Sequence, residues 1–112
     1  MLTITRRTGE TIVIAGIHVV TVEVVTHNAL QLLISESAEP QLRKQIHRGE
    51  GVSLCDDLVR IELTGFHSTA ARIGISAPPE ISIYRGELAD RLRAEGIDIT
   101  QPLHALPARH TA

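Results

Sequence analysis

The chain has 112 residues, 43% of them hydrophobic but only 2% aromatic, and a formal net charge of −2. One domain-sized core is within reach, and Val, Ile and Leu must fill it, which favours strands. A near-neutral surface excludes polyanion binding by bulk charge, so nucleic-acid recognition would need a local cluster of arginines. Cys55 stands alone and cannot form an internal disulfide; the start "MLTITRRTGE" is too charged for a signal peptide, and no apolar run reaches membrane length. A cytoplasmic protein that does not enter a membrane is expected.

Residues 2–7 alternate, with Leu2, Ile4 and Arg6 on one face and Thr3, Thr5 and Arg7 on the other, and predict a strand with its arginines at the surface. Gly9-Glu10 turns the chain into a strand at 11–14, and Ala15-Gly16 turns it again. "HVVTVEVVT" (18–26) puts Val20, Val22 and Val24 on one face, "HNA" marks a hairpin, and residues 30–35 follow with Leu30, Leu32 and Ile34 inward. In residues 39–50, Leu42 and Ile46 are four apart, Pro40 stands near the start and Gly49 at the end, which predicts a short amphipathic helix. Strands return at 51–54, 58–64, 71–76 and 80–85. Residues 87–95 predict a closing helix stopped by Gly96, and 97–112 a loosely held tail.

The halves overlay. An offset of 40 pairs Leu2 with Leu42, Gly9 with Gly49 and Glu10 with Glu50; after one extra residue an offset of 41 pairs Val20 with Ile61, Val22 with Leu63 and Ile34 with Ile75. The pattern predicts an internal duplication whose copies are each too short for a good core. The expected fold is mainly β: two packed antiparallel sheets from two degenerate repeats (1–38 and 51–96), a bridging helix at 39–50, and a C-terminal helix. Residues 1–96 form one domain and 97–112 the tail.

"MLTITRRTGETIVI" and "ARIGISAPPEISIYRGEL" resemble the opening and closing segments of the carbon storage regulator family (CsrA/RsmA), small bacterial RNA-binding translational regulators; together they cover about a third of the chain. Family members are about half this length and work as homodimers of five-stranded subunits. Their first and fifth strands exchange between subunits, and each of two RNA sites joins the first strand of one subunit to the fourth and fifth strands of the other. The resemblance therefore implies a fused pseudo-dimer, monomeric with a homodimer as the alternative, in which the 39–50 helix replaces both strands of one site.

The ligand implied is a GGA-containing single-stranded loop in messenger RNA or a small regulatory RNA, and a protein antagonist is a further implied partner. Carried over by position, the RNA-binding residues are Ile4, Thr5, Arg6 and Arg7 on the first strand, Ile83 and Arg85 on the fifth, with Arg72, Ala77 and Pro78. Guanidinium groups suit phosphate oxygens and guanine edges, and edge-strand backbone suits splayed bases. In the first copy Arg72 and Ala77-Pro78 correspond to Gln31 and Glu36-Ser37, which suit an anion poorly. The plainer readings are that Arg6 and Arg7 guard an edge strand, that Arg85 pairs with Glu87 or Glu10, and that Ile4 and Ile83 are core.

No catalysis, cofactor or metal is expected: the histidines never recur at ligand spacing, and Asp56-Asp57 would dull Cys55 as a nucleophile. The function expected is control of translation by occupying a leader segment. The rival is a protein-interaction module that keeps the scaffold and sequesters a partner, such as a flagellar assembly factor, without binding RNA.

Overall fold

A computed structural model describes residues 1–37 and 39–102. Nine strands precede one helix among them: β1 (Leu2–Arg6), β2 (Thr11–Ile14), β3 (His18–Val25), β4 (Ala29–Glu36), β5 (Glu39–His47), β6 (Gly51–Leu54), β7 (Val59–His67), β8 (Ala70–Ser76), β9 (Ile83–Arg85) and α1 (Gly86–Ala94). All pairings are antiparallel, and they form a four-stranded sheet ordered β1-β8-β7-β6 and a five-stranded sheet ordered β5-β4-β3-β2-β9. Alternate residues of both sheets meet in one aliphatic core that includes Ile12, Ile14, Leu32, Ile61, Leu63 and Ile73, each fully buried. The mainly β, two-sheet reading holds, and each sheet draws strands from both halves of the chain.

The recurrence reaches the backbone. Gly9 and Gly49 take φ of 89° and 86°, where a side chain would be strained. Gly9 N–H donates to Val22 O at 2.7 Å and Gly49 N–H to Leu63 O at 2.9 Å; Glu10 Oε1 accepts from Arg7 N–H at 2.6 Å and Glu50 Oε1 from His47 N–H at 2.7 Å. Bulges follow at Val22/Val24 and Leu63/Gly65. The first of them corrects one expectation: past it Val24 no longer shares the inward face of Val20 and Val22, and it is 45% exposed.

Residues 39–50 are not a bridging helix. Residues 39–47 form β5, paired with β4 from Ala29↔His47 to Glu36↔Glu39. A spacing of four satisfies the two-residue repeat of a strand as well as a helical turn, so Leu42 and Ile46 share a face in either case. Pro40 is tolerated because β5 is an edge strand and the register shifts beside it. In chain order β5 stands where β1 stands in the first half. Among the described residues only one strand is therefore missing, a partner for β6.

The tail reading also changes. α1 covers the outer face of β2 and β9 through a second cluster of Val13, Tyr84, Ala89, Leu92 and Ile99. Gly86 lets the helix start this close, since a Cβ there would collide with Thr11 Oγ1. Ser82 Oγ donates to Ile99 O at 2.7 Å and Tyr84 OH to Gln101 O, so 97–101 are docked; 103–112 lie outside the described residues.

Arg6 is not a surface residue. It is 4% exposed, and its guanidinium donates to both carboxylate oxygens of Glu87 (2.8 and 3.0 Å), to Thr11 O (3.2 Å) and to Thr5 O (3.1 Å). It thus ties β1 of one sheet to β2 and the first turn of α1 on the other. The Arg6 hydrogen bonds, aided by the Glu87 backbone N–H, hold the Glu87 carboxyl at about 2. A lowered carboxyl stabilises the fold fully above its ordinary range near 4.5 and loses that contribution as pH falls towards 2. Glu87 is itself 64% exposed, so solvent screens the pair. Glu87→Gln should cost about 1–2 kcal/mol at pH 7, and urea unfolding at pH 7 and pH 3 should show a smaller acid loss for the variant than for the parent.

Candidate nucleic-acid interface

β1 and β9 are edge strands of different sheets, and the Arg6–Glu87 contact holds their ends side by side. Above it opens a cleft of about 250 Å³ lined by Thr5, Arg6, Arg7, Glu10, His67, Ala70 and Arg85. Arg7 and Arg85 are exposed, and neither forms an ion pair among the described residues. The two acids that might have taken Arg85 are turned to Arg6 instead, Glu87 at 2.8 Å and Glu10 at 3.7 Å. Both acids are thus directed at buried Arg6, and Arg7 and Arg85 stand over one opening with no ion pair among the described residues.

Arg72 lies directly across from Thr5 in the β1–β8 pair, exposed on the outer face of the sheet. Ala77 and Pro78 are half-buried and follow β8 past the Leu2↔Ile75 pair, at the far end of β1 from Arg7. At about 3.3 Å per residue, the length of β1 separates them by roughly 17 Å. Ile4 is 5% exposed and Ile83 packs against the same core, so their side chains form the wall beneath the strands. The structure thus brings Thr5, Arg6, Arg7 and Arg85 into one cleft, with Arg72 beside it and Ala77-Pro78 further along the β1 edge. His67, Glu10 and Ala70 also line the cleft. Sequence reasoning missed His67 as a lining residue, because only the Arg6↔Ala71 register brings the β7–β8 turn beside Arg7.

The corresponding place in the other sheet is different. Ile46, fully buried, stands where Arg6 stands, and His47 stands where Arg7 does, its Nδ1 3.1 Å from Glu50 Oε1. Arg43 donates to both oxygens of Glu23 (2.8 and 3.1 Å), and Gln31, in the place of Arg72, donates to Glu23 Oε1 at 3.1 Å. Arg43 first and then Gln31 hold the Glu23 carboxyl below its usual range. With no strand flanking β6 among the described residues, this end has no counterpart of Arg85 or Glu87. It retains a first strand, contrary to the expectation that both strands were replaced; its Arg43 is held by Glu23, while Lys44 and Arg48 are exposed and form no ion pair among the described residues.

No metal-binding group of His, Cys, Asp and Glu occurs among the described residues, and no described helix is long and apolar enough to cross a membrane. No solved structure matches the chain. A family model described as "Global regulator protein family" (CsrA) matches residues 42–94, a stretch that begins within β5 and ends at the last residue of α1. A translational regulator CsrA from Syntrophomonas wolfei is 34% identical over 61 residues, which cover 54% of this chain and 79% of that protein. The matched stretch takes in β5 as well as β9, one complete run of five strands and a helix, and the first half repeats that run without its last strand. By this likeness and this architecture, the chain belongs to the CsrA family.

Proposed function

We propose that the chain is an RNA-binding post-transcriptional regulator that takes a GGA-containing single-stranded loop of an mRNA leader or small RNA into the β1–β9 cleft and so modulates translation. The observation that carries this reading is the pair of unneutralised guanidinium groups, Arg7 and Arg85, above an opening whose acids are bound by Arg6. Arg7, Arg85 and Arg72 contact phosphates or guanine edges. Thr5 and the free backbone of edge strand β1 read splayed bases, with Ala77 and Pro78 as further contacts. Ile4 and Ile83 shape the floor, and Arg6 holds the two strands at their spacing. The reaction is binding alone, with no bond made or broken.

The chain acts as a pseudo-dimer within one monomer, in the cytoplasm, each sheet pairing strands from both halves of the chain. A scaffold that sequesters a protein without binding RNA is the alternative. It is separated by a mobility shift with a GGA-loop RNA against a GGA-to-CCA control: binding to neither RNA favours it, and equal affinity for the two would refute GGA recognition.

Four outcomes test the assignment. Arg85→Ala or Arg7→Ala should weaken GGA-loop binding about tenfold to a hundredfold, the worth of roughly 1.5–3 kcal/mol for a charge-assisted hydrogen bond, with the melting temperature unchanged. Arg43→Ala, already engaged by Glu23, should cost under about 0.5 kcal/mol of affinity. Arg6→Ala should lose stability as well as binding, which separates positioning from contact. Calorimetric titration should saturate at one loop per chain; saturation at two would show that the β5 end still binds.

A further inference from the structure

The two sheets are unequal at one edge. β9 flanks β2, whereas among the described residues nothing pairs with the outer edge of β6. The two slots are otherwise alike. Each is four residues long, each is entered from the same glycine turn, and each is left through left-handed residues, Ala15-Gly16 or Cys55–Asp57. On β2, Ala15 N–H donates to Ser82 O at 2.8 Å and Val13 sits opposite Tyr84, so odd-numbered residues turn their backbone groups to β9. On β6, the even-numbered Glu50 gives its carbonyl to Leu63 N–H of β7 at 3.1 Å. The N–H and C=O of Ser53 therefore face the open side.

The seam below is unsealed. Ile12 and Ile14 are fully buried under β9, while their counterparts Val52 and Leu54 are 9% exposed and half-buried, and Leu42 at the facing edge is 40% exposed. The outer face has been rewritten. Val13 and Val19, packed near α1, are replaced by Ser53 and Arg60, both exposed, so a following helix would find no apolar bed. The far end carries concentrated negative charge: Asp56 and Asp57 are exposed, and after burial it is Asp56 and Glu36 that push the Cys55 thiol up.

We propose that the β6 edge is a docking site for an extended segment of a partner protein, which adds antiparallel to β6 as the fifth strand of this sheet. Its apolar residues alternate to seal the seam over Val52 and Leu54. A polar residue opposes Ser53, a basic residue meets Asp56 and Asp57, and no helix follows. Backbone hydrogen bonds supply the affinity and alternate side chains the specificity, as in other strand-addition complexes. The site is at the opposite edge of its sheet from β1 and does not depend on RNA binding.

The probe is a peptide of residues 79–86 carrying the β9 strand, and the same peptide with Glu80→Lys, Ser82→Lys and Tyr84→Thr. Titrated into isotope-labelled full chain, both should shift the amide resonances of residues 51–56 and slow exchange of the Ser53 N–H. The lysine peptide should bind at least about tenfold tighter at low salt, an advantage that shrinks as salt screens it. Ser53→Pro removes the outward N–H without touching the β7 pairing; it should abolish binding of both peptides and leave GGA-loop binding intact. Asp56→Asn with Asp57→Asn, tolerated in left-handed backbone, should erase the lysine advantage in a folded chain. The proposal is overturned if residues 51–56 do not respond, or if the two peptides bind equally. It is also overturned if the Ser53 amide is already protected in the free chain, either by a second copy, with protection rising with concentration, or by residues 103–112, with protection lost on their removal.

Discussion

A single buried guanidinium fixes how the two sheets meet. β1 is the edge of one sheet and β9 the edge of the other, and nothing in strand pairing sets their separation. Arg6 sets it, through Glu87, Thr11 O and Thr5 O. A buried cation is tolerable only when its donors are matched, so the Arg6 group demands that the start of α1 lie against β1. Glu87 keeps much of its hydration, which spares part of the desolvation cost that a fully buried pair would carry. The cleft above is a consequence: the acids point down at Arg6, and Arg7 and Arg85 are left pointing out.

At the other end of the molecule that group is lost. Ile46 in the place of Arg6 makes an ordinary core contact and calls for no carboxylate, and no described helix stands there to supply one. Arg43 there is held locally by Glu23, with Gln31 on the same carboxylate. An arginine held by two hydrogen bonds to a neighbour must break them before it can meet a phosphate, so a basic residue on the sequence is not by itself a basic site. The asymmetry between the ends lies in side-chain chemistry more than in strand count, since β5 is present at one as β1 is at the other.

Much of this was legible in the sequence. The alternation located β2 and β6 to the residue, but the arginines of β1 were expected at the surface, whereas Arg6 shares the inward face of Ile4 and is buried against a partner. That the partner is Glu87 could not be read, because the two meet only through the exchange of strands between halves. β5 was misread because an edge strand buries so little: Ile46 is buried, Leu42 is not, and Lys44 lies between them on the same face, leaving a pattern that fits a helix equally well. Pairing with β4, a non-local fact, decides it. The bulge that turns Val24 outward and the hydrogen bonds of Ser82 and Tyr84 that dock 97–101 are likewise set by partners distant in the chain.

Under the reading proposed here, one RNA site per chain has a thermodynamic consequence. A protein with two identical sites can engage two loops of one transcript, and the second contact, made at high effective concentration, raises overall affinity by about 10² to 10⁴ without any new interaction. A chain with a single cleft forgoes that gain. With a net charge of −2 it also has little long-range attraction for RNA to offset the loss. Its affinity for a loop must then come from the local geometry of Arg7, Arg85 and the β1 edge, and it would compete poorly with a two-site relative for transcripts carrying paired loops while remaining effective on those carrying one. Under that reading, the chain is better suited to selecting among RNAs by loop number than to acting on all of them alike.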